Sequence, residues 1–266
     1  MINVDLSPEQ RAFDDASAAA DAQPDIQAVG RAAQILNLFS NETPELTVSS
    51  VAQRLGLNRT TAHRYLSSLV AAGLVKTSES GHGLVPGELA IQLGAFALGR
   101  RNVLDLASGP MRELSESVRM TVVLSIWGPS GPVVAKVHEN RSRAVLITVP
   151  VGTQLSLDTA QSVLYMAHSD DPLATRRLLV SLPAAAERDI VARIEAATAA
   201  GIAMKSFDDG ITSIAAPVFG ASGISATIAL VHTSAMLPMN PDSVEVARLR
   251  EVARELSLEL GGNVAQ

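Results

Sequence analysis

The chain reads as an α+β protein: an N-terminal winged helix-turn-helix domain, a linker helix, and a C-terminal domain built on an antiparallel sheet. Three observations carry that reading. Between residues 26 and 87, three amphipathic helical stretches with cap residues precede two short strand-like runs around a tip that holds two glycines. Beyond residue 118 the helical period gives way to runs rich in β-branched residues, separated by Gly-Pro and charged turns. Charge is also divided: residues 1–25 hold one base against six acids, a net of −5, whereas residues 26–101 hold seven bases against four acids, a net of +3. The whole chain carries −6, so the basic segment is a local feature of an acidic protein.

Each element follows from its own pattern. Residues 1–25, rich in Ala, Asp and Ser, read as a disordered acidic tail. From Ile26 to Phe39, Val29, Ala32, Ala33, Leu36 and Phe39 recur at three- and four-residue intervals, which predicts a first helix with one buried stripe. Thr47 precedes a short second helix ending at Leu55, where Gly56 suits a left-handed cap. Asn58 caps a third helix whose Ala62, Tyr65, Leu66 and Leu69 face inward and which Gly73 ends. Leu74–Lys76 and Leu84–Val85 flank the Ser78–Gly83 tip and predict a hairpin, the wing. Residues 88–118 read as a helical linker, with one helix to Arg101 and another from Asn102 to Val118. In the C-terminal domain, residues 119–266, strands are expected at Thr121–Trp127, Val133–His138, Val145–Val149, Ile211–Phe219 and Ile224–Val231. Helices are expected at Thr159–Ala167, Pro172–Val180, Ala184–Ala200 and Val244–Leu260.

Composition excludes several classes. A length of 266 residues suits two domains, and no apolar run reaches the roughly 18 to 20 residues that span a bilayer. With no basic start before an apolar stretch, residues 1–25 do not read as a signal peptide, and a cytoplasmic protein with no membrane partner is expected. The absence of cysteine removes disulfides, thiolate metal sites and thiol nucleophiles. The five histidines show no close metal spacing, and Ser130 lies in a Gly-Pro-Ser-Gly turn, without the strand-to-helix elbow of a serine hydrolase. No catalytic residue, metal or cofactor is expected.

The third helix carries the recognition chemistry. Asn58, Arg59, Thr60, Thr61, His63 and Arg64 occupy its N-terminal half, where a recognition helix meets DNA. Arginine can pair guanine with two hydrogen bonds, and threonine can reach a phosphate or a thymine methyl. Lys76 and His82 extend this candidate surface into the wing. Taken alone, the same string would also suit a solvated helix face; the preceding helix, cap and wing favour double-stranded DNA. Two other classes stay open: a small-molecule-binding protein whose winged helix mediates protein association, and a hydrolase.

The strings V-G-R-A-A-Q-I-L-N-L-F and L-T-V-S-S-V-A-Q-R-L-G-L-N-R-T-T-A-H-R-Y-L-S-S-L-V-A-A-G-L-V, then V-G-T-Q-L-S-L-D-T-A-Q-S and I-A-A-P-V-F-G-A-S-G, resemble the isocitrate-lyase-regulator (IclR) family of bacterial transcription factors over nearly everything after residue 25. The resemblance implies a GAF-like effector-binding domain, a homodimer or tetramer, and a dimer that sets two recognition helices roughly 34 Å apart on a pseudo-palindromic operator. It also implies an effector pocket. Thr159, Ala160, Gln161 and Ser162 fall on its first loop, Asp209 and Ser213 on a second segment, and Leu230 and His232 where the family's last pocket strand often carries serines. Ser162 and Val163 replace the family's usual Gly followed by Lys or Arg. These departures point to an effector larger than a two- or three-carbon acid, such as an aromatic or branched acid or amide, with a hydrogen bond from His232.

Overall fold

The computed structural model describes residues 26–99, 102–128, 130–142 and 145–262. The acidic segment 1–25 and the arginine pair at 100 and 101 lie outside the described residues. The chain divides into two compact units at Gln92/Leu93.

In the first unit, α1 (Gln27–Leu36), α2 (Val48–Leu55) and α3 (Arg59–Ala71) precede a hairpin of β1 (Val75–Thr77) and β2 (Leu84–Pro86). Ile35, Leu46, Val51, Leu66, Leu69 and Val75 form its core. The face of α1 differs from expectation. Ile35 is fully buried, while Val29 is 65% exposed, because the apolar residues fit two adjacent stripes and packing selects the one through Ala32, Ile35 and Phe39. A second feature escapes the periodicity: Leu46 exchanges both backbone hydrogen bonds with Leu84 at 2.8 Å and so adds a third short edge to the wing. Gly87 allows a close turn, since a Cβ there would stand 2.3 Å from the Gly73 carbonyl oxygen.

α4 (Glu88–Gly99) spans the boundary between the units. The second unit then contains α5 (Asn102–Leu106), α6 (Ser108–Val118), β3 (Thr121–Gly128), β4 (Gly131–His138), α7 (Ala160–Ala167), α8 (Pro172–Val180), α9 (Ala184–Ala200), β5 (Ala203–Ser206), β6 (Ile211–Gly220), β7 (Gly223–Thr233) and α10 (Val244–Glu259). Its antiparallel sheet has the order β4-β3-β7-β6-β5. The expected single helix over 102–118 is two helices. Pro110 explains the break: it has no N–H to bond the carbonyl four residues back, and sits in the first turn of α6, where none is needed. Val103, Ala107, Met111, Leu114 and Val118 from this stretch belong to the core of the second unit.

The sheet is covered on both faces. Val122, Leu124, Ile214, Ile228 and Leu230 point to one side, against α6 and α10. On the other, the cross-strand row Ala203, Ala215, Ala229 and Val123 offers small side chains, and the first three lie in the cluster that α7 joins. That close seat buries every side chain of α7 from Ala160 to Met166. Further along this face, Val123, Val134 and Val231 lie beneath Ile147, Val149 and Leu155. The expected strand at Val145–Val149 is therefore an extended cover with no ladder: its apolar residues lie over the sheet, tied by a hydrogen bond from Thr121 Oγ1 to the Ile147 carbonyl at 2.6 Å. β5, in contrast, is a strand that its Ala-Met-Lys-Ser composition does not advertise. Among the described residues no helix is long and apolar enough to cross a membrane.

Candidate nucleic-acid interface and effector cavity

The first candidate surface is built by caps. Thr47 and Ser50 form a reciprocal capping box at the start of α2, and Gly56 closes that helix with φ 62°. The chain then turns at once into α3, where Asn58 Oδ1 accepts from the Thr61 N–H at 2.7 Å. Ala62, Leu66 and Leu69 go into the core, which leaves Asn58, Arg59, Thr60, His63, Arg64 and Ser67 exposed and Thr61 half-buried. Among the described residues no acid pairs with Arg59 or Arg64. Two guanidinium groups without an acidic partner among the described residues thus share the exposed N-terminal half of the helix, Arg59 in its first turn, an arrangement that attracts phosphate and can read base edges.

Lys76 is placed differently. Its Nζ lies 2.9 Å from Glu88 Oε1, and that hydrogen bond and charge raise the ammonium pKa and lower the carboxyl pKa. Its charge is already matched within the head. The wing tip is held by Glu45, whose carboxylate accepts from Ser78 at 3.3 Å and Ser80 at 3.5 Å, while His82 is exposed. Sequence periodicity missed one feature here. His63 of α3 and His82 of the wing, nineteen positions apart in the chain, line one groove of about 380 Å3 together with Thr47, Ser67 and Thr77.

The second candidate is a cavity of about 220 Å3 on the α7 side of the sheet. Thr159, Gln161, Asp209 and Ser213 come together in its lining with Phe207 and the apolar Val123, Ile147, Val149, Leu155, Ile211 and Val231. Among the described residues no lysine or arginine lines it. Thr159 caps α7 by accepting from the Ser162 N–H at 3.2 Å, so the start of a helix faces the cavity. Gln161 donates to the Thr227 carbonyl at 3.3 Å and to Thr227 Oγ1 at 3.2 Å, which anchors α7 to the sheet. Asp209 Oδ1 accepts from the Ile211 N–H at 3.1 Å. Outside the lining, Asp158 meets Lys205 at 3.2 Å; burial opposes its ionisation, but bonds from Ser156 and Lys205 and the nearby charges outweigh that and lower its pKa.

Four expected pocket residues stand elsewhere. Ala160 packs in the core under α7, and Ser162 Oγ bonds the Ser156 carbonyl at 2.7 Å and Thr159 Oγ1 at 2.8 Å, so its hydroxyl closes the loop. Leu230 and His232 require a correction: neither lines the cavity. Side chains alternate along β7, and the residue facing the cavity is the intervening Val231, while Leu230 is fully buried in the core on the opposite face. His232 shares the Leu230 side and accepts from the Thr233 N–H through Nδ1 at 2.8 Å. Among the described residues no group of three or more metal-ligating side chains is gathered.

Comparison with known proteins fits this division. The IclR helix-turn-helix domain matches residues 28–79, and the bacterial transcriptional regulator IclR C-terminal domain matches residues 95–258. The chain is similar to the HTH-type transcriptional regulator XynR of Escherichia coli K12, with 26% identity over 89% of this chain and 96% of that protein. It shares its fold with a putative IclR regulator from Silicibacter sp. TM1040, at TM-score 0.77 and 23% identity over 89% of this chain and 97% of that one. An IclR homologue from Microbacterium hydrocarbonoxydans, solved in complex with 4-hydroxybenzoate, has TM-score 0.67 and 20% identity over 88% of this chain and 99% of that one. The named relatives are transcriptional regulators, not enzymes. The chain belongs to the IclR family and is a transcriptional regulator with a DNA-binding helix-turn-helix domain and an effector-binding C-terminal domain.

Proposed function

We propose that residues 26–87 read a pseudo-palindromic operator in the cytoplasm as the head of a homodimer, and that residues 119–266 bind a small aromatic or branched acid or amide. The observation that carries the DNA assignment is the exposed face of α3, with Arg59 and Arg64 unmatched by acids among the described residues. Thr60, Thr61 and His63 share the same half of the helix. A second copy is supported by α4, whose Ile91 and Leu98, seven residues apart on one side of the helix, are 59% and 41% exposed, an apolar face that a partner helix would cover. A dimer would place two copies of α3 in successive major grooves, roughly 34 Å apart.

The effector reading rests on the 220 Å3 cavity. At less than the roughly 300 Å3 at which drug-sized sites begin, it suits a compact ligand. The opening turn of α7 beyond Thr159, with the N–H groups of Ala160 and Gln161, favours a carboxylate or carbonyl oxygen. Val123, Val149 and Val231 suit an apolar body, and Asp209 and Ser213 suit a hydrogen-bond donor on the ligand. The homologue that holds 4-hydroxybenzoate supports a ligand of that size and polarity. Effector binding would act on DNA by favouring one of two arrangements of the dimer for which its affinities differ.

Electrophoretic shift with DNA from upstream of the gene tests the central assignment. Arg59→Ala or Arg64→Ala should weaken binding by about 1 to 3 kcal/mol where the arginine reads a base. Unchanged affinity and base preference in both variants would remove α3 as the reading element.

A further inference from the structure

The groove between α3 and the wing has two chemical zones. Leu46, Leu66 and Leu84 are buried or half-buried and form its floor, while the rim carries the exposed Ser67, Thr77, His63 and His82. A sugar–phosphate strand has the same division, because deoxyribose presents C–H surface and the phosphodiester presents charged acceptor oxygens. We propose that this groove receives the backbone of one DNA strand and that His63 and His82 take up protons as it does so, making DNA binding proton-linked. The inference rests on the DNA-binding reading of α3 given above.

Histidine is the side chain whose charge changes between pH 5 and 8, and an adjacent phosphate favours its charged form. The complex then holds more protons than the free protein, so affinity rises as pH falls. The surrounding charges do not supply such a response. Those on the elements forming the groove are Glu45 before α2, Arg54 on α2, Arg59 and Arg64 on α3, Lys76 on β1 and Glu79 at the wing tip. Carboxylates and guanidinium groups as classes keep their charge from pH 6 to 8. Lys76 and Glu88 hold each other ionised across that range, since the pair raises one pKa and lowers the other. The other three histidines, His138, His168 and His232, lie in the second unit.

The test is fluorescence anisotropy of the full chain on a labelled 30-base-pair duplex of arbitrary sequence, at pH 6, 7 and 8 and constant low salt. Affinity of the unmodified protein should fall at least about tenfold from pH 6 to pH 8, since each linked proton can contribute up to about tenfold per pH unit. The double variant His63→Gln, His82→Gln should lose most of that dependence, its ratio of affinities at pH 6 and pH 8 falling toward one whatever its absolute affinity. Each single variant should lose part of it, which preserves the test if the double variant fails to fold. Equal pH dependence in variants and parent, or no pH dependence in the parent, overturns the inference while leaving DNA binding intact. Absence of binding at every pH overturns the DNA-binding reading itself.

Discussion

Leu230 and Val231 are consecutive residues of β7, and shortening each to alanine should have different consequences because they face opposite sides of the sheet. Leu230 is 0% exposed within the core that α6 and α10 cover. Truncating such a leucine removes its burial and leaves a void, which costs about 3 kcal/mol, within the range of roughly 2 to 5 kcal/mol for buried leucines. Val231 is 8% exposed and borders the 220 Å3 cavity. Its methyl groups already face empty space on one side, so their loss forfeits fewer contacts and costs about 1 kcal/mol. For a unit of this length each kcal/mol lowers Tm by about 2 to 4 °C, which gives about 6 to 12 °C for Leu230→Ala and about 2 to 4 °C for Val231→Ala. Differential scanning calorimetry reads both shifts, and repeating it with a graded set of aromatic and branched acids reads ligand preference. Val231→Ala should move that preference toward larger acids, while Leu230→Ala should leave the order unchanged. Equal losses of Tm, or a ligand order altered only by Leu230→Ala, would refute the facing assigned to β7.

Two further perturbations test the packing of each unit separately. Gly87→Ala should destabilise the first unit, because its Cβ would fall 2.3 Å from the Gly73 carbonyl oxygen and backbone must move; an unchanged Tm for that unit would contradict the close turn. In the second unit, burial lowers the pKa of His168, whose Nε2 is buried with no hydrogen-bond partner among the described residues. The unfolded chain therefore binds the proton first, so this contribution is complete above the ordinary imidazole pKa and declines as pH falls toward the lowered value, by at most about 1.4 kcal/mol per pH unit. Thermal denaturation should show a steeper loss between pH 7 and pH 5 for the parent than for His168→Leu, and identical slopes would exclude His168 as the source.

The sequence by itself determined most of the kinds of element and most of their ends, because those depend on neighbours a few residues away. Gly56 closes α2 in a left-handed conformation and Asn58 caps α3, both short-range events that the residue types announce. α8 and α9 likewise run over the stretches that their patterns mark out. The exposed half of α3 was legible for the same reason: its inward residues are spaced by a turn, so its outward residues are named by elimination.

Tertiary structure decided what periodicity leaves degenerate. Residues 226–232 of β7 are all buried, so hydrophobicity gives no phase, and only pairing with β3 and β6 shows that Val231 faces the cavity while Leu230 and His232 face away. The apolar stretch 145–149 carries the composition of a strand, yet no partner edge is paired with it, and it covers the sheet as extended chain. That Lys76 has an acidic partner was decided only when the start of α4 brought Glu88 within 2.9 Å. His63 and His82 became one groove only when the wing folded back beside α3. Each of these outcomes depends on contacts between distant segments, whose free energy is settled by the packing of the whole unit and not by the local chain.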